Sequence, residues 1–598
     1  MDRRSTIAAL VGKKTKASTA VAKQFSAPVI AGGMDPYTGP WNFEQAAHLL
    51  RRATFGPSLT QLKKAQQDGL NATLNKLFTP VNITGPLNSG QYLGQRDAMN
   101  QPPATNDPYV PVGQPWVKKE AGKWKAGWYD VRDTTTRNRI QAYRRQTLRS
   151  WILESIIKEE TSIIQTMTLF WHNHFVTAET NDPVFEFRYL ATLTDNCLGD
   201  FKELVKQITI DPAMLFYLNG NVNTGNSPNE NYARELFELF TIGKGPLVGP
   251  GDYSNYTEDD IREAAKVLSG WRVYGLNATQ IVSDKDANGG YFELENSKLS
   301  YFTNNRHNTT TKNFSHRFNN TSIANAGAEE YKHLVDMIFQ QRECARFICR
   351  KLYRWFVYYE ITPQAEADVI ETMANILINN DYNIGAVVRA LLRSEHFFNA
   401  LNVGPMIKNP IDFVMTILKP FDYESKEPAS LYDKLVFYYN GIRPVLITMQ
   451  MEYLNPPDVA GWKAYYQEPS FYRIWINSVT LNSRMGYSKQ LALSVNNQGR
   501  GNTNGVDVLA FVAGLDNNLD PNEMIDEITK ILLPQPLTQV QKDYLKEILI
   551  PGLPDFEWTV EYGDYLANPN NADLRNAVQS KLRNLFHAIF SLPEFYLS

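Results

Sequence analysis

The chain has 598 residues, of which 43% are hydrophobic and 12% aromatic, and 60 Lys and Arg stand against 63 Asp and Glu for a net charge of −3. So even a balance excludes the global electrostatic signature of a nucleic-acid binder, and no uninterrupted apolar run is long enough for a transmembrane helix. Length alone suggests about four domains. Helical periodicity nevertheless dominates throughout, so the expected fold is mainly α: one large multi-helix domain over 41–598 with long irregular insertions and minor β. The three cysteines, Cys197, Cys344 and Cys349, are too few for a disulfide framework and read as buried free thiols.

Residues 1–40 read as a flexible segment. Arg3 and Arg4 precede a short apolar stretch, the pattern of a degenerate twin-arginine export leader, although Lys13, Lys14 and Lys16 end that stretch early. From Phe43, FEQAAHLLRRATFG predicts a helix stopped at Gly56, and 59–78 a second helix. Residues 79–136 are rich in Pro, Gly, Asn and Gln, with Trp116, Trp124 and Trp128 among lysines. This predicts an insertion lying on the surface, with a hairpin around 116–128. Helices resume at 137, where the basic run 137–149 reads as a solvated face, and continue to about 242. A second insertion over 273–326 is Asn/Thr-rich, with short strands expected around 291–302. The segment 447–484 is irregular and aromatic-rich, and the last hundred residues return to helix.

Two segments concentrate polar groups among large apolar ones. NENYARELFELFTIG places Glu235 and Glu238 three apart on one helix face, and MTLFWHNHF contributes His172 and His174. Histidine and carboxylate side chains together can bind a divalent metal or work as acid and base. This makes His172, His174, Glu235 and Glu238 the candidate catalytic set, and His172, His174 and Glu235 the candidate metal ligands. The structural alternative is a pair of core histidines beside an Arg234–Glu238 or Arg262–Glu235 ion-pair network. On a helix the two histidines point about 200° apart, so joint ligation requires the helix to end near Trp171. Thr257 and Asp260 form a capping box, and the acids around them serve the helix dipole.

Arg306, His307 and Lys312 in the Asn-rich insertion suit anion or sugar contact, against the alternative of exposed loop residues with no specific role. Trp462, with Tyr465, Tyr466, Tyr472 and Trp475, offers stacking platforms for sugars or packing for an irregular loop. No phosphate-binding loop, dinucleotide-binding glycine motif, nucleophile elbow or HExxH helix is present.

AAHLLRRATFGPS, MTLFWHNHF, NENYARELFELFTIG, YTEDDIREAAKVLSGW, RHNTTTKNF and NPPDVAGW occur in that order. Together they resemble the bacterial family catalogued as domain of unknown function 1800, over nearly the whole chain from Trp41. Family members often carry twin-arginine-type leaders and are often encoded beside an exported, sulfatase-like protein. The resemblance therefore implies an extracytoplasmic location (periplasm, cell surface or secreted), with a cytoplasmic one as the alternative, and a protein partner. It supplies no reaction. Where family members commonly show a His-Asp pair, this chain has His307 and Asn308, which weakens an acid/base role there. Two functions are expected from this reading. One is an exported or cell-envelope protein acting in a complex with a protein partner and a glycan. The other is a metal-assisted hydrolase of envelope or extracellular polymers.

Overall fold

The computed structural model describes residues 33–81, 83–90, 93, 107–129, 134–178, 180, 182–274, 290–494 and 505–598. The fold is mainly α-helical, with a few short strands. Helix α1 (Phe43–Ala53) begins where the Asn42 side chain accepts the Glu44 and Gln45 amides, satisfying donors that a helix start leaves unpaired. Its apolar positions Ala46, Ala47, Leu49, Leu50 and Ala53 are all buried, and Arg51 and Arg52 close its last turn, where the dipole favours cations. The single helix expected over 59–78 is two, α2 (Leu59–Asp68) and α3 (Leu70–Leu77). Gly69, at φ +81, breaks the helical path between them.

Helices α4 (Thr134–Ile157), α5 (Ile164–His174) and α6 (Pro183–Asp195) form the next unit, with α6 packed against both others. Asp182 caps α6 and Pro183 occupies its first position, where a missing N–H costs nothing. The basic run on α4 is not wholly a solvated face. Arg144 is fully buried, pairs with buried Asp107 at 2.7 Å and donates to the Gly127 carbonyl at 2.7 Å. Its partner comes from the 79–136 insertion, so nothing local to α4 signalled the burial.

That insertion contains the expected hairpin, strands β1 (Val117–Glu120) and β2 (Lys123–Gly127). The strand β3 (Tyr291–Glu293) adds to it antiparallel, with Ala126 opposite Phe292. The two insertions thus meet in one small sheet. Trp116 and Trp124 pack edge-on against Phe187 of α6 at centroid distances of 6.2 and 4.9 Å. The insertion is pinned into the core by these rings and by the Arg144–Asp107 pair rather than simply lying on the surface.

Residues 33–40 are not the loose end of a flexible segment. The Tyr37 amide donates to the Arg393 carbonyl at 2.8 Å and the Thr38 amide to Glu395 at 2.6 Å. The leader-like residues themselves lie outside the described residues. The irregular segment expected over 447–484 forms short 3-10 turns, Lys463–Tyr465 and Phe471–Trp475, and ends sooner than expected. Asn477 and Thr480 make a capping box that starts the helix Ser478–Leu493.

One hydrophobic cluster runs from Ala46 to Leu597. The stretch 406–408 pairs with 596–598: the Lys408 amide donates to the Tyr596 carbonyl at 2.8 Å and the Ser598 amide to the Met406 carbonyl at 2.8 Å. All three cysteines are buried free thiols. Among the described residues, no helix is long and apolar enough to cross a membrane.

Candidate functional site

Helix α5 ends in His172, Asn173 and His174, and these side chains fasten it to α6, to the 447–484 segment and to the acidic helix. His172 is wholly buried. Its Nδ1 lies 2.9 Å from the Tyr189 hydroxyl, which itself donates to the Phe175 carbonyl at 2.5 Å. The hydroxyl proton is therefore committed, and Nδ1 carries the proton of the His172–Tyr189 bond. Nε2 then accepts the Leu454 amide at 3.2 Å. Both ring nitrogens are satisfied in the neutral tautomer, and burial pushes the pKa down to about 3.

Asn173 holds the aromatic segment. Its Oδ1 accepts the Trp462 amide at 2.9 Å, and the adjoining Gly461, at φ +94, lies against it. A Cβ at Gly461 would come within 2.3 Å of Asn173 Oδ1 and 2.6 Å of its carbonyl. Gly461→Ala is therefore expected to cost about 1–3 kcal/mol of stability. Gly486→Ala, at a helical site with nothing within 4 Å of the added Cβ, serves as the control. Equal unfolding midpoints for the two variants would contradict this packing.

His174 faces the acidic helix, but it meets backbone rather than carboxylate. Helix α7 (Glu230–Glu235) runs on into a π-helical turn, Leu236–Thr241, closed by the Ile242 amide on the Phe237 carbonyl at 3.1 Å. The last carbonyls of any helix lack intrahelical partners. Here the Phe240 carbonyl accepts His174 Nε2 at 3.0 Å and the Leu239 carbonyl accepts Lys351 Nζ at 3.0 Å. The ammonium also donates to His174 Nδ1 at 3.1 Å, which fixes His174 as the neutral Nε2-protonated tautomer. A cation at the negative end of a helix is favourable, although burial lowers the Lys351 pKa to about 7. Asn255 Nδ2 completes the cap on the Ile242 and Gly243 carbonyls at 3.0 and 3.1 Å.

The two carboxylates occupy a different, partly exposed face. Glu238 accepts the Tyr256 hydroxyl and lies 3.5 Å from Arg234 and 3.4 Å from Lys244. Arg234 binds Glu258 through two bonds of 2.9 and 2.8 Å. Arg262 pairs with exposed Asp259 and not with Glu235. The Glu235 carboxylate makes no hydrogen bond or ion pair among the described residues. Burial and then the Glu238 charge push its pKa up to about 7, with Asp458 adding to the shift and Arg234 opposing it. Tyr217, raised by burial and then by Asp458 and Glu235, lies near both carboxylates.

The expected catalytic set therefore divides. His172 sits in the core between Tyr453, stacked at 5.2 Å, and the edge of Trp462 at 5.7 Å. His174 caps a helix, and Glu235 and Glu238 look outward. Among the described residues no three His, Cys, Asp or Glu side chains gather as metal ligands. The lone pairs of both histidines are already used, so His172, His174 and Glu235 do not form a metal site. The cause is that α5 stays helical through His174, turning its two rings in nearly opposite directions.

The expected ligand residues divide as well. Arg306 is exposed, but His307 and Lys312 are buried. His307 Nε2 lies 2.9 Å from Glu330 Oε2, its Nδ1 lies 2.8 Å from the Ser269 carbonyl, and Lys312 pairs with Glu330 Oε1. These side chains form a sealed core network, in which Ser269 Oγ donates to the Lys266 carbonyl at 2.6 Å rather than serving as a nucleophile. Trp462 is buried and offers no stacking face. Sequence reasoning missed Lys351, Asp458 and Tyr217. A signal for Lys351 was present: it falls three residues after Ile348 and seven after Cys344, on the buried stripe of its helix Arg342–Phe356.

No curated protein and no solved structure matches the chain. A family model described as "Protein of unknown function (DUF1800)" matches residues 48–597. That span takes in α5, the acidic helix and the Gly461 loop together, and the chain belongs to the DUF1800 family.

Proposed function

We propose that this protein is an exported or cell-envelope helical scaffold that works in a complex with a protein partner. The carrying observation is the use made of its most recognisable motif: His172, Asn173 and His174 are all spent on internal bonds that join α5 to α6, to the 447–484 segment and to the acidic helix. A motif consumed in this way preserves a shape. The C-terminal helices add exposed apolar side chains one turn apart: Val540 (78% exposed) and Tyr544 (57%) on one helix, and Phe556 (59%) and Val560 (54%) on the next. Apolar groups repeated on an exposed helix face are a recurrent mark of protein contact.

The leader-like N-terminus and the family's pairing with an exported sulfatase-like protein name the partner to test. Co-production with that neighbour is expected to yield one co-eluting species whose mass by light scattering is the sum of the two chains. Phe556→Asp with Val560→Asp should separate them without changing the far-UV circular dichroism. Two proteins that elute independently at micromolar concentration would refute the pairing.

A second reading rests on Glu235. A half-buried carboxyl with a pKa near 7 beside Asp458 suits general acid–base chemistry, which would make the protein a hydrolase independent of the two histidines. If a screen of envelope polysaccharides reveals turnover, Glu235→Gln should reduce kcat about 10²–10⁴-fold and remove the inflection near neutral pH. Full activity in that variant would eliminate the reading.

A further inference from the structure

At the end of α1 the chain encloses a second polar feature, a cavity of about 50 Å³ whose walls include Arg51, Arg52, Asn409, Asp412, Trp355 and Tyr465. One water requires only roughly 10–15 Å³, so the space accommodates a small polyatomic group. Its charge is lopsided. Asp412 is 8% exposed, and among the described residues its carboxylate takes no hydrogen bond and no direct ion pair. Around it, close enough to act on its titration, stand Lys408, Arg52, Arg484 and Arg51. No second carboxylate appears among the influences on Arg51, Arg52 or Arg484. Even if a carboxylate at Ser598 is counted with Asp412, the cations are in excess.

Buried charge without compensation costs several kcal/mol, and arginine cannot escape by losing its proton. Burial lowers Arg51, Arg52 and Arg484 only to about 10, which leaves all three charged at neutral pH. Lysine can respond, and Lys408 is lowered to about 7. Both wall arginines are held rigidly. Arg52 donates to the Phe356 and Trp355 carbonyls at 3.0 and 2.7 Å and to Ser598 Oγ at 2.7 Å, and Arg51 Nη2 donates to the Lys530 and Ile531 carbonyls at 2.5 and 2.9 Å. A guanidinium has more N–H donors than these bonds use. Behind the wall, Arg484 is fully buried, and its Nε and Nη1 find no partner among the described residues. Arg51 and Arg52 are themselves only partly buried, and the cavity is partly open to the surface.

We infer that this cavity is a binding site for an oxyanion group (phosphate, sulfate or carboxylate), held by Arg51 and Arg52 with Lys408 and Arg484 supplying the surrounding positive field. Planar guanidinium groups match oxyanions in shape and charge. The same anionic group can arrive free or carried on a sugar. Trp355 and Tyr465, stacked on each other at 4.6 Å, supply an aromatic part of the wall.

The test is titration of the full chain, followed through tryptophan fluorescence and calorimetry, with sodium phosphate, sodium sulfate and sodium glucuronate at constant ionic strength set with chloride. Saturable binding that chloride does not reproduce is expected. Asp412→Asn removes the opposing charge of that carboxylate and should tighten binding about tenfold, whereas Arg51→Gln should weaken it at least that much. If Arg51→Gln does not fold, the direction of the Asp412→Asn change decides alone. Tighter binding of glucuronate than of the inorganic anions identifies a sugar-borne group, and the reverse identifies a free anion; either supports the site. No saturation at tens of millimolar, or affinities that neither variant changes, would overturn it.

Discussion

Glu330→Ala is expected to destabilise the fold by about 3–5 kcal/mol, the range for removing one member of a fully buried ion pair. Glu330 and Lys312 have no exposed side-chain surface, and the carboxylate also meets His307 at 2.9 Å and accepts the Ala326 amide at 3.2 Å. The loss leaves an ammonium in a site that water does not reach, and its cost comes mainly from desolvation. The double variant Glu330→Met with Lys312→Met should recover much of the loss, because an apolar pair of similar volume replaces charges that gained little net stability. Chemical denaturation midpoints measure both. A single variant within about 1 kcal/mol of wild type would show that the pair is solvated.

The second large effect depends on pH. His172 is neutral in the fold, with a pKa of about 3, whereas in the unfolded chain it titrates near 6.5. The folded pKa lies below the unfolded one, so below pH 6.5 the unfolded state binds the extra proton. The stability this imidazole contributes is therefore complete above 6.5 and falls by about 1.4 kcal/mol for each pH unit below it, until about pH 3. His172→Gln keeps one donor and one acceptor but cannot take up the proton. The variant should be less stable than wild type at pH 8. Its deficit should shrink by about 2 kcal/mol between pH 6.5 and 5. Subtracting the two proteins cancels buried carboxyls such as Asp182 and Asp211, whose pKa values near 6 act in the opposite sense. A deficit that stays constant over that window would mean His172 is solvated.

Features set by neighbours in sequence were the legible ones. The helix from Phe43, the Thr257–Asp260 capping box and the hairpin near Trp116 each depend on residues a few positions apart, and each is found. The 200° divergence of His172 and His174 is also a local property of a helix, and it decided against their acting together. What could not be read was the burial of polar residues by distant partners. His307 and Lys312 lie in an Asn-rich stretch that looks solvated, yet both are bonded in the core to Glu330 from the following helix. Arg144 lies in a basic run, and its partner Asp107 sits in the insertion. Gly69 split a helix because its backbone adopts a positive φ, a choice that amphipathic periodicity does not record.

The π-helical turn at Leu236–Thr241 constrains how the chain can change in length. Hydrogen bonds that skip one residue farther than in an α-helix accommodate a supernumerary residue. Removing one residue there would allow ordinary helical bonding, and local propensity alone would favour the shorter form. It would also rotate everything upstream by about 100° relative to the capped end. Glu235 would leave the neighbourhood of Asp458, while His174 and Lys351 kept their carbonyls. Length variation in this family should accordingly collect in the segments between helices and spare this turn, and a single-codon deletion within it would separate the clasp from the carboxylate as no point substitution can.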